Sequence, residues 1–157
     1  MHAIVDPCDY YTQTRYKWHV SKGTRTHYAV RQICLGGRKT KAVHMHREIL
    51  NAPDGMYVDH INRNGLDNRK ANLRLATRTQ NARNRPKTNK KTHSKYKGVS
   101  FRSPNGKWCA TIFSNGRNFH LGHFDKQIDA ARAYDEAAKK HHGDFAALNF
   151  PEQAGVK

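Results

Sequence analysis

The sequence predicts an α+β fold made of two small modules, and three observations lead to that prediction. Only 36% of the 157 residues are hydrophobic, which is low for one large core and favours two small ones. Short alternating segments bounded by glycine and asparagine turns predict antiparallel strands in both halves of the chain. The stretch 83–97 is strongly basic and almost free of apolar residues, so we expect the boundary between the modules there.

The charge of the chain indicates its class of partner. The formal net charge is +17 and the isoelectric point is about 10.2. Because such an excess attracts polyanions, nucleic acid is the first candidate and an anionic membrane surface is the second. No apolar run approaches the roughly 18 residues of a spanning helix. The N-terminus lacks the basic-then-apolar order of a signal peptide, so we expect a cytoplasmic protein without a membrane partner.

The cysteines predict neither disulfides nor a zinc site. Cys8, Cys34 and Cys109 are scattered along the chain and form no C-x-x-C pair. Neither a disulfide framework nor a cysteine-based structural zinc site is therefore indicated.

The first part of the chain predicts a small sheet. Residues 1–15 carry little pattern, and their order is left open. Alternating, β-branched and aromatic segments then predict strands over 16–20, 26–34 and 41–46. A short helix over 47–51 is expected to follow, because proline and glycine end the pattern soon afterwards.

The central stretch, residues 56–85, predicts a strand, a loop, a second strand and a helix. Asn64-Gly65 favours a tight turn with positive φ in the loop. Leucines that alternate around an arginine predict the second strand at 73–75. Thr77 is a typical N-cap for the helix, which Pro86 ends.

Several polar residues of this half have local explanations. We interpret Asn62, Asn64 and Asn68 as turn residues, because asparagine readily bonds its own backbone. His44 and His46 lie two apart on a predicted strand. Since neither a cysteine nor a third ligand is close in sequence, we interpret both histidines as structural or DNA-facing.

The C-terminal half predicts strands over 96–102, 107–113 and 119–124, then a helix from 127 to about 141 with Asp125 as its N-cap. A period of two gives the sheet one apolar and one polar face. The apolar face carries Val99, Phe101, Trp108, Ala110, Ile112, Phe119 and Leu121. The polar face carries Ser100, Arg102, Lys107, Thr111, Asn118 and His120. Small alanines in the helix allow it to lie close on the apolar face.

The residue types of the central stretch suit hydrolysis of a phosphodiester. That reaction needs an activated water and a divalent metal at the phosphoryl oxygens. Asp59 offers a hard oxygen ligand for Mg²⁺, and His60 is a general base at neutral pH. Because neighbours on an extended chain point opposite ways, a second ligand must come from elsewhere, and Asn81 offers an amide oxygen. Asn72 can orient the imidazole through a hydrogen bond.

Four segments of this stretch stand together as a long motif. They are Val58-Asp59-His60-Ile61-Asn62, Asp67-Asn68-Arg69, Asn72-Leu73-Arg74 and Gln80-Asn81-Ala82-Arg83-Asn84. Together they resemble the HNH endonuclease family, and most closely its phage and intron-homing branch. The resemblance extends over about residues 26–85 and implies a ββα-metal fold.

The resemblance also implies roles for four residues. His60 is the first motif histidine and the general base, and Asn72 is the motif asparagine, which makes these two the catalytic pair. Asp59 would hold the metal with Asn81, which stands where the family name has its last histidine. A neutral amide oxygen favours Mg²⁺, with Mn²⁺ as a substitute, over zinc.

The C-terminal module carries a second motif. Its segments are Tyr96-Lys97-Gly98-Val99, Gly106-Lys107-Trp108, Leu121-Gly122-His123-Phe124, Ala130-Ala131-Arg132-Ala133-Tyr134-Asp135 and Leu148-Asn149-Phe150-Pro151. They resemble the plant ethylene-response-factor (Apetala-two) DNA-binding domain over about residues 94–151. This family lays a three-stranded sheet in the major groove and packs a helix behind it.

Lys97, Arg102 and Lys107 match basic contacts of that family. The plant proteins often carry Arg or Trp where this chain has Ser100, Phe113, Asn118 and His120, so the plant target sequence is not carried over. The predicted DNA-binding residues are Lys97, Ser100, Arg102, Lys107, Thr111, Asn118, His120, Arg74, Arg83 and Arg85. Arg83 and Arg85 belong to the basic run that is expected to contact phosphates.

These observations predict a nuclease module over 1–85, a basic linker over 86–95, a DNA-binding domain over 96–151 and a tail over 152–157. The expected activity is that of a metal-dependent DNA endonuclease of the homing or phage type that nicks one strand per active site. Double-stranded DNA is the expected partner, with no small-molecule cofactor, and monomer or dimer is left open. The alternatives are a DNA-binding regulator with an inactive HNH module and, more weakly, a structured-RNA binder.

Overall fold

The computed structural model describes residues 1–87, 93–102, 104 and 106–151. The predicted α+β class is confirmed, with separate antiparallel sheets and few helices. The chain divides into two compact units, Met1–Ala82 (unit 1) and Arg83–Lys157 (unit 2). The division at residue 85 and the linker over 86–95 stay predictions. Residues 88–92 of that linker and the predicted tail at 152–157 lie outside the described residues.

Unit 1 begins with a helix where the sequence showed little pattern. Its first elements are α1 (Pro7–Thr14), β1 (His19–Lys22), β2 (His27–Cys34), β3 (Thr40–His44) and α2 (Met45–Ile49). The three strands form an antiparallel sheet in chain order. The helix predicted over 47–51 therefore exists but begins and ends two residues earlier.

A strand, loop, strand and helix complete unit 1, as the sequence predicts. β4 (Tyr57–His60) pairs antiparallel with β5 (Leu73–Ala76), and α3 (Arg78–Arg83) follows. Thr77 starts this helix: its Oγ1 accepts a bond from the Gln80 N–H at 3.2 Å. Gln80 Oε1 accepts in turn from the Thr77 N–H at 2.8 Å. The two bonds form a reciprocal capping box that satisfies two otherwise unpaired amides.

Unit 2 is a three-stranded antiparallel sheet with one long helix. Its elements are β6 (Val99–Arg102), β7 (Lys107–Ser114), β8 (Arg117–Phe124) and α4 (Gln127–His142). The predicted N-cap Asp125 is wrong, because Lys126 occupies the cap position without a side-chain bond. Val99 and Ala110 pack against Ala130 and Ala131 of α4. These small side chains allow the helix to lie close to the sheet.

Gly98, which precedes β6, lies directly against the Tyr134 ring of α4. Its φ is +74°, and a Cβ at this position would overlap the Tyr134 ring and lie 2.7 Å from the Thr111 carbonyl oxygen. Glycine is therefore required here both for conformation and for space. Among the described residues, no helix is both long and apolar enough to cross a membrane.

Candidate active site and nucleic-acid interface

Asp59 and His60 end β4 and are both buried, with 5% and 6% of their surface exposed. The antiparallel register places Asp59 opposite Arg74 of β5. Asp59 Oδ2 accepts bonds from Arg74 Nε at 2.9 Å and from Nη2 at 2.7 Å. Arg74 is therefore the charged partner that a buried carboxylate needs. The sequence predicts a contact between Arg74 and DNA, and the structure adds this pairing with Asp59.

Asn68 fixes the imidazole of His60. It is fully buried, and its Oδ1 lies 3.3 Å from His60 Nε2. The Nδ2 of the same amide donates to the Leu66 carbonyl and faces the Met45 sulfur. Because Oδ1 can only accept, His60 donates from Nε2, and its Nδ1 is the nitrogen that can take a proton.

Three histidine rings lie together beside this site. The ring centroids of His46 and His60 are 5.0 Å apart, and those of His44 and His46 are 5.2 Å apart. Burial lowers the pKa of His46 to about 3. Burial also lowers the pKa of His60, while its bond to Asn68 and the charge of Asp59 act in the opposite direction. His60 is therefore neutral at pH 7, the form in which it can accept a proton.

The loop between β4 and β5 is cross-braced by polar side chains. Asn72 Oδ1 accepts from the Asn62 N–H at 2.9 Å, and its Nδ2 donates to the Asp67 carbonyl at 2.7 Å. Arg69 donates to both carboxylate oxygens of Asp67, each at 2.8 Å. The Arg69 hydrogen bonds, helped by one from Asn62, lower the pKa of Asp67 to about 2. Hydrogen bonds among its own residues thus stabilise the conformation of the loop.

The bonds of Asn72 differ from the role that the sequence suggested for it. Its amide contacts the backbone of the loop, whereas the amide oxygen of Asn68 lies 3.3 Å from His60 Nε2. These bonds show Asn72 holding the loop that follows His60, and its catalytic role stays a prediction. The signal for Asn68 was present, because it belongs to the quoted Asp67-Asn68-Arg69 segment, but a turn explained it equally well.

The N-terminal segment supports the same loop. Ile4 forms a parallel bridge with Asp67, donating to the Leu66 carbonyl at 2.8 Å and accepting from the Asn68 N–H at 2.7 Å. Asp6 accepts a bond from the Lys70 N–H at 2.7 Å. Residues 4–6 therefore hold the backbone on both sides of Asn68.

Asn81 lies on α3, where its N–H donates to the Thr77 carbonyl at 2.9 Å. The side chain is partly exposed. A carboxylate and an amide oxygen are donors that suit Mg²⁺ or Mn²⁺, so the chemistry of Asp59 and Asn81 fits a hard divalent ion. Their joint role as metal ligands stays a prediction.

The outer face of the unit 2 sheet carries most of the predicted DNA contacts. Arg102 lies opposite Lys107 across β6 and β7, and Thr111 lies opposite His120 across β7 and β8. Five side chains of this face are exposed and Thr111 is half-buried. The exposed five are Ser100, Arg102, Lys107, Asn118 and His120. The structure thus gathers these six residues on one polar surface.

The other predicted contacts have different surroundings. The ammonium group of Lys97 donates to the backbone carbonyls of Arg83 and Arg85, each at 2.7 Å. Lys97 therefore ties the start of unit 2 to β6, a structural role that the sequence did not indicate. Arg83 lies within reach of Asn115 Oδ1 at 3.4 Å, and Arg85 is exposed.

Two family models match the chain. The HNH endonuclease model matches residues 51–83, and the AP2 domain model matches residues 94–143. Over 143 residues the chain is 34% identical to an uncharacterised HNH endonuclease of Acanthamoeba polyphaga mimivirus. That alignment covers 87% of this chain and 68% of the viral protein.

Plant proteins match the second unit only. An AP2/ERF and B3 domain-containing protein of Oryza sativa subsp. japonica is 48% identical over 61 residues, covering 39% of this chain and 16% of the plant protein. An AP2-like ethylene-responsive transcription factor of Arabidopsis thaliana is 46% identical over 57 residues, covering 36% of this chain and 12% of that protein. The chain therefore spans only a small part of either plant relative.

Proposed function

The chain belongs to the HNH endonuclease family, and from this premise we propose that it is a DNA endonuclease that hydrolyses phosphodiester bonds with one divalent metal ion. One observation carries the proposal: a buried aspartate and a histidine of defined tautomer lie side by side at the end of β4. The strand, loop, strand and helix around them lie within the residues matched by the HNH model. An AP2 domain follows in the same chain, which supports DNA as the substrate.

In the proposed mechanism His60 is the general base. Its Nδ1 takes a proton from water, the water oxygen forms a bond to phosphorus, and the bond from phosphorus to the leaving sugar oxygen breaks. Asn68 Oδ1 accepts the hydrogen bond from His60 Nε2, so the imidazole keeps this orientation and offers Nδ1 to the water in each cycle. A divalent ion held by Asp59 and Asn81 would supply charge stabilisation at the phosphoryl oxygens.

Arg74 has two tasks in this proposal. Its guanidinium holds the Asp59 carboxylate in place through two bonds to one oxygen. It also brings a positive charge to the point where a phosphate must approach, which agrees with its predicted contact to DNA.

The sheet of unit 2 is proposed to select the site on DNA. Its outer face combines exposed basic and polar side chains, which are the types that contact phosphates and base edges. With one active site per chain, each binding event nicks one strand, as expected of a homing or phage enzyme. The net charge of +17 predicts binding that weakens steeply as salt rises.

The direct test is conversion of supercoiled plasmid with Mg²⁺ or Mn²⁺, comparing the wild type with His60→Ala. Loss of the base should slow cleavage by about 10²–10⁴. His19→Ala, which removes an exposed imidazole of β1, is the matched control and should cut like the wild type. A random DNA library with end mapping would give the target and distinguish nicks from breaks. Equal cleavage by wild type and His60→Ala contradicts the proposal.

The Asp59–Arg74 pair favours a second candidate function. An ion pair of 2.7 Å occupies the carboxylate that a metal would need. If this pair persists on DNA, the chain is a sequence-specific DNA-binding regulator with an inactive HNH module. Tight binding to a selected target, without cleavage in Mg²⁺ or Mn²⁺, would favour this reading.

A further inference from the structure

A cysteine and two histidines converge on the outer face of the unit 2 sheet. One ligand atom from each of Cys109, His120 and His123 lies within 4.8 Å of the other two. Cys109 Sγ is 3.4 Å from His120 Nδ1, and the two imidazole centroids are 4.7 Å apart. Cys109 is 2% exposed, whereas both histidines are exposed. The thiol thus lies beneath two solvent-facing rings.

An irregularity in β8 creates this convergence. Cys109 pairs with His123 and Ala110 with Gly122, but Thr111 pairs with His120, so β8 has one extra residue at Leu121. Residues three apart on a regular strand point to opposite faces. The bulge restores His120 and His123 to one face, and Gly122 accommodates it with a φ of +131°.

The distance between the sulfur and the first imidazole agrees with a tetrahedral metal site. Bonds of about 2.3 Å to sulfur and about 2.0 Å to nitrogen place the two atoms about 3.5 Å apart at a tetrahedral angle. The sulfur–nitrogen distance of 3.4 Å is close to that value. A hydrogen bond between the Cys109 thiol and His120 would also explain this distance. It would not explain why the His123 imidazole lies beside them.

We propose that Cys109, His120 and His123 form a zinc site. One thiolate and two imidazoles are ligands that zinc prefers, and they differ from the hard oxygen donors of Asp59 and Asn81. Binding forms the Zn–S bond and releases the Cys109 proton to solvent. Three protein ligands leave a fourth position for water or a phosphate oxygen. Because the site lies among the predicted DNA contacts, the ion would add positive charge to that surface.

Cobalt titration of the full chain tests the proposal, because Co²⁺ replaces Zn²⁺ and reports its ligands by absorption. Cys8→Ser and Cys34→Ser together leave Cys109 as the one thiol. We expect a thiolate-to-cobalt charge-transfer band that saturates at one equivalent and disappears when Zn²⁺ is added.

Substitutions then assign the other ligands. His120→Asn and His123→Asn alter exposed side chains, so the fold should be retained, and each should weaken cobalt binding by about 100-fold or more. His19→Asn, at an exposed position of unit 1, should leave binding unchanged. Asp59→Asn should also leave the band unchanged, which separates this site from the proposed nuclease centre.

Two results would overturn the zinc site. One is the absence of a charge-transfer band in the chain that retains Cys109. The other is a band that neither His120→Asn nor His123→Asn weakens, while circular dichroism shows both variants folded.

Discussion

The candidate site of unit 1 and the sheet–helix core of unit 2 bury different kinds of side chains. Unit 1 buries charged and amide groups around its site, among them Asp59, Asp67 and Asn68. Unit 2 buries mainly alanines between its sheet and α4, with Ile112 and Tyr134 beside them. A hydrolytic site needs polar groups held in place away from water, whereas a surface that binds DNA needs a rigid support behind it.

The difference predicts different weaknesses. A buried polar network is stable only while each member keeps its partners, and one lost bond typically costs about 1–3 kcal/mol. A close-packed core of small side chains responds mainly to volume, because no space is left for an added group. Substitutions that remove a hydrogen bond in unit 1 or add volume in unit 2 therefore test whether the two units depend on different interactions.

The largest effect is expected from Gly98→Ala in unit 2. The added methyl meets the Tyr134 ring and a backbone oxygen, so we expect a loss of about 4 kcal/mol or more in the free energy of unfolding. Gly116→Ala is the control, since its φ is also positive (+76°) but no atom lies within 4 Å, and should cost about 1 kcal/mol. Urea unfolding followed by Trp108 fluorescence in a Trp18→Phe background reports unit 2 alone. Equal losses in the two variants would show that volume is not limiting.

Next in size is Asn68→Ala in unit 1. This change removes a fully buried amide and the acceptor that it offers to His60 Nε2, so we expect a loss of about 2–3 kcal/mol. Plasmid cleavage should fall as well, because the imidazole is no longer held. Asn118→Ala, at an exposed position of β8, should change stability by less than about 0.5 kcal/mol. Full cleavage by folded Asn68→Ala would exclude a positioning role for Asn68.

Acid should destabilise unit 1 through His46. Its pKa is about 3 when folded and near 6.5 when unfolded, so the unfolded chain takes up the proton first. The contribution of neutral His46 to the free energy of unfolding is complete above pH 6.5 and is lost as the pH falls towards 3. The loss amounts to about 2 kcal/mol at pH 5. Urea unfolding at pH 7 and pH 5 measures it. His46→Gln should show a smaller change between these pH values than His19→Gln, and identical changes would contradict the assignment.

The smallest effect is expected from Thr77→Ala, which removes half of the capping box of α3. We expect a loss of about 1 kcal/mol and a modest decrease in cleavage, because α3 carries Asn81. Thr77→Ser keeps the hydroxyl and should restore both quantities. If serine and alanine behave alike, the hydroxyl does not stabilise the helix.

Local patterns predicted most of the fold. The alternation at 73–75, the cap at Thr77 and the strands of unit 2 depend on neighbours in sequence, and all are present. The pairing of Ile4 with Asp67 has no local pattern, because a single bridge between distant residues leaves none.

Much of the candidate site could be assembled from the motif, but its bonds could not. Asp59 and His60 stand where the sequence expected them, yet their partners Arg74 and Asn68 follow from strand register and loop shape. The cluster around Cys109 was missed for a similar reason. Its members are adjacent only across two strands and after a bulge, and the spacing of cysteines alone gave no signal.

The bridge between Ile4 and the loop at 66–68 has a practical meaning for protein production. Residues far from the HNH motif in sequence bond the backbone on both sides of Asn68, so we expect a shortened N-terminus to loosen the loop of the candidate site without changing its motif. A purification tag fused at residue 1 lies close to Ile4 in sequence and can disturb its bridge to Asp67. The cleavage rate of tagged protein is best measured before and after the tag is removed. A rate that rises on removal would indicate that the tag had displaced the loop.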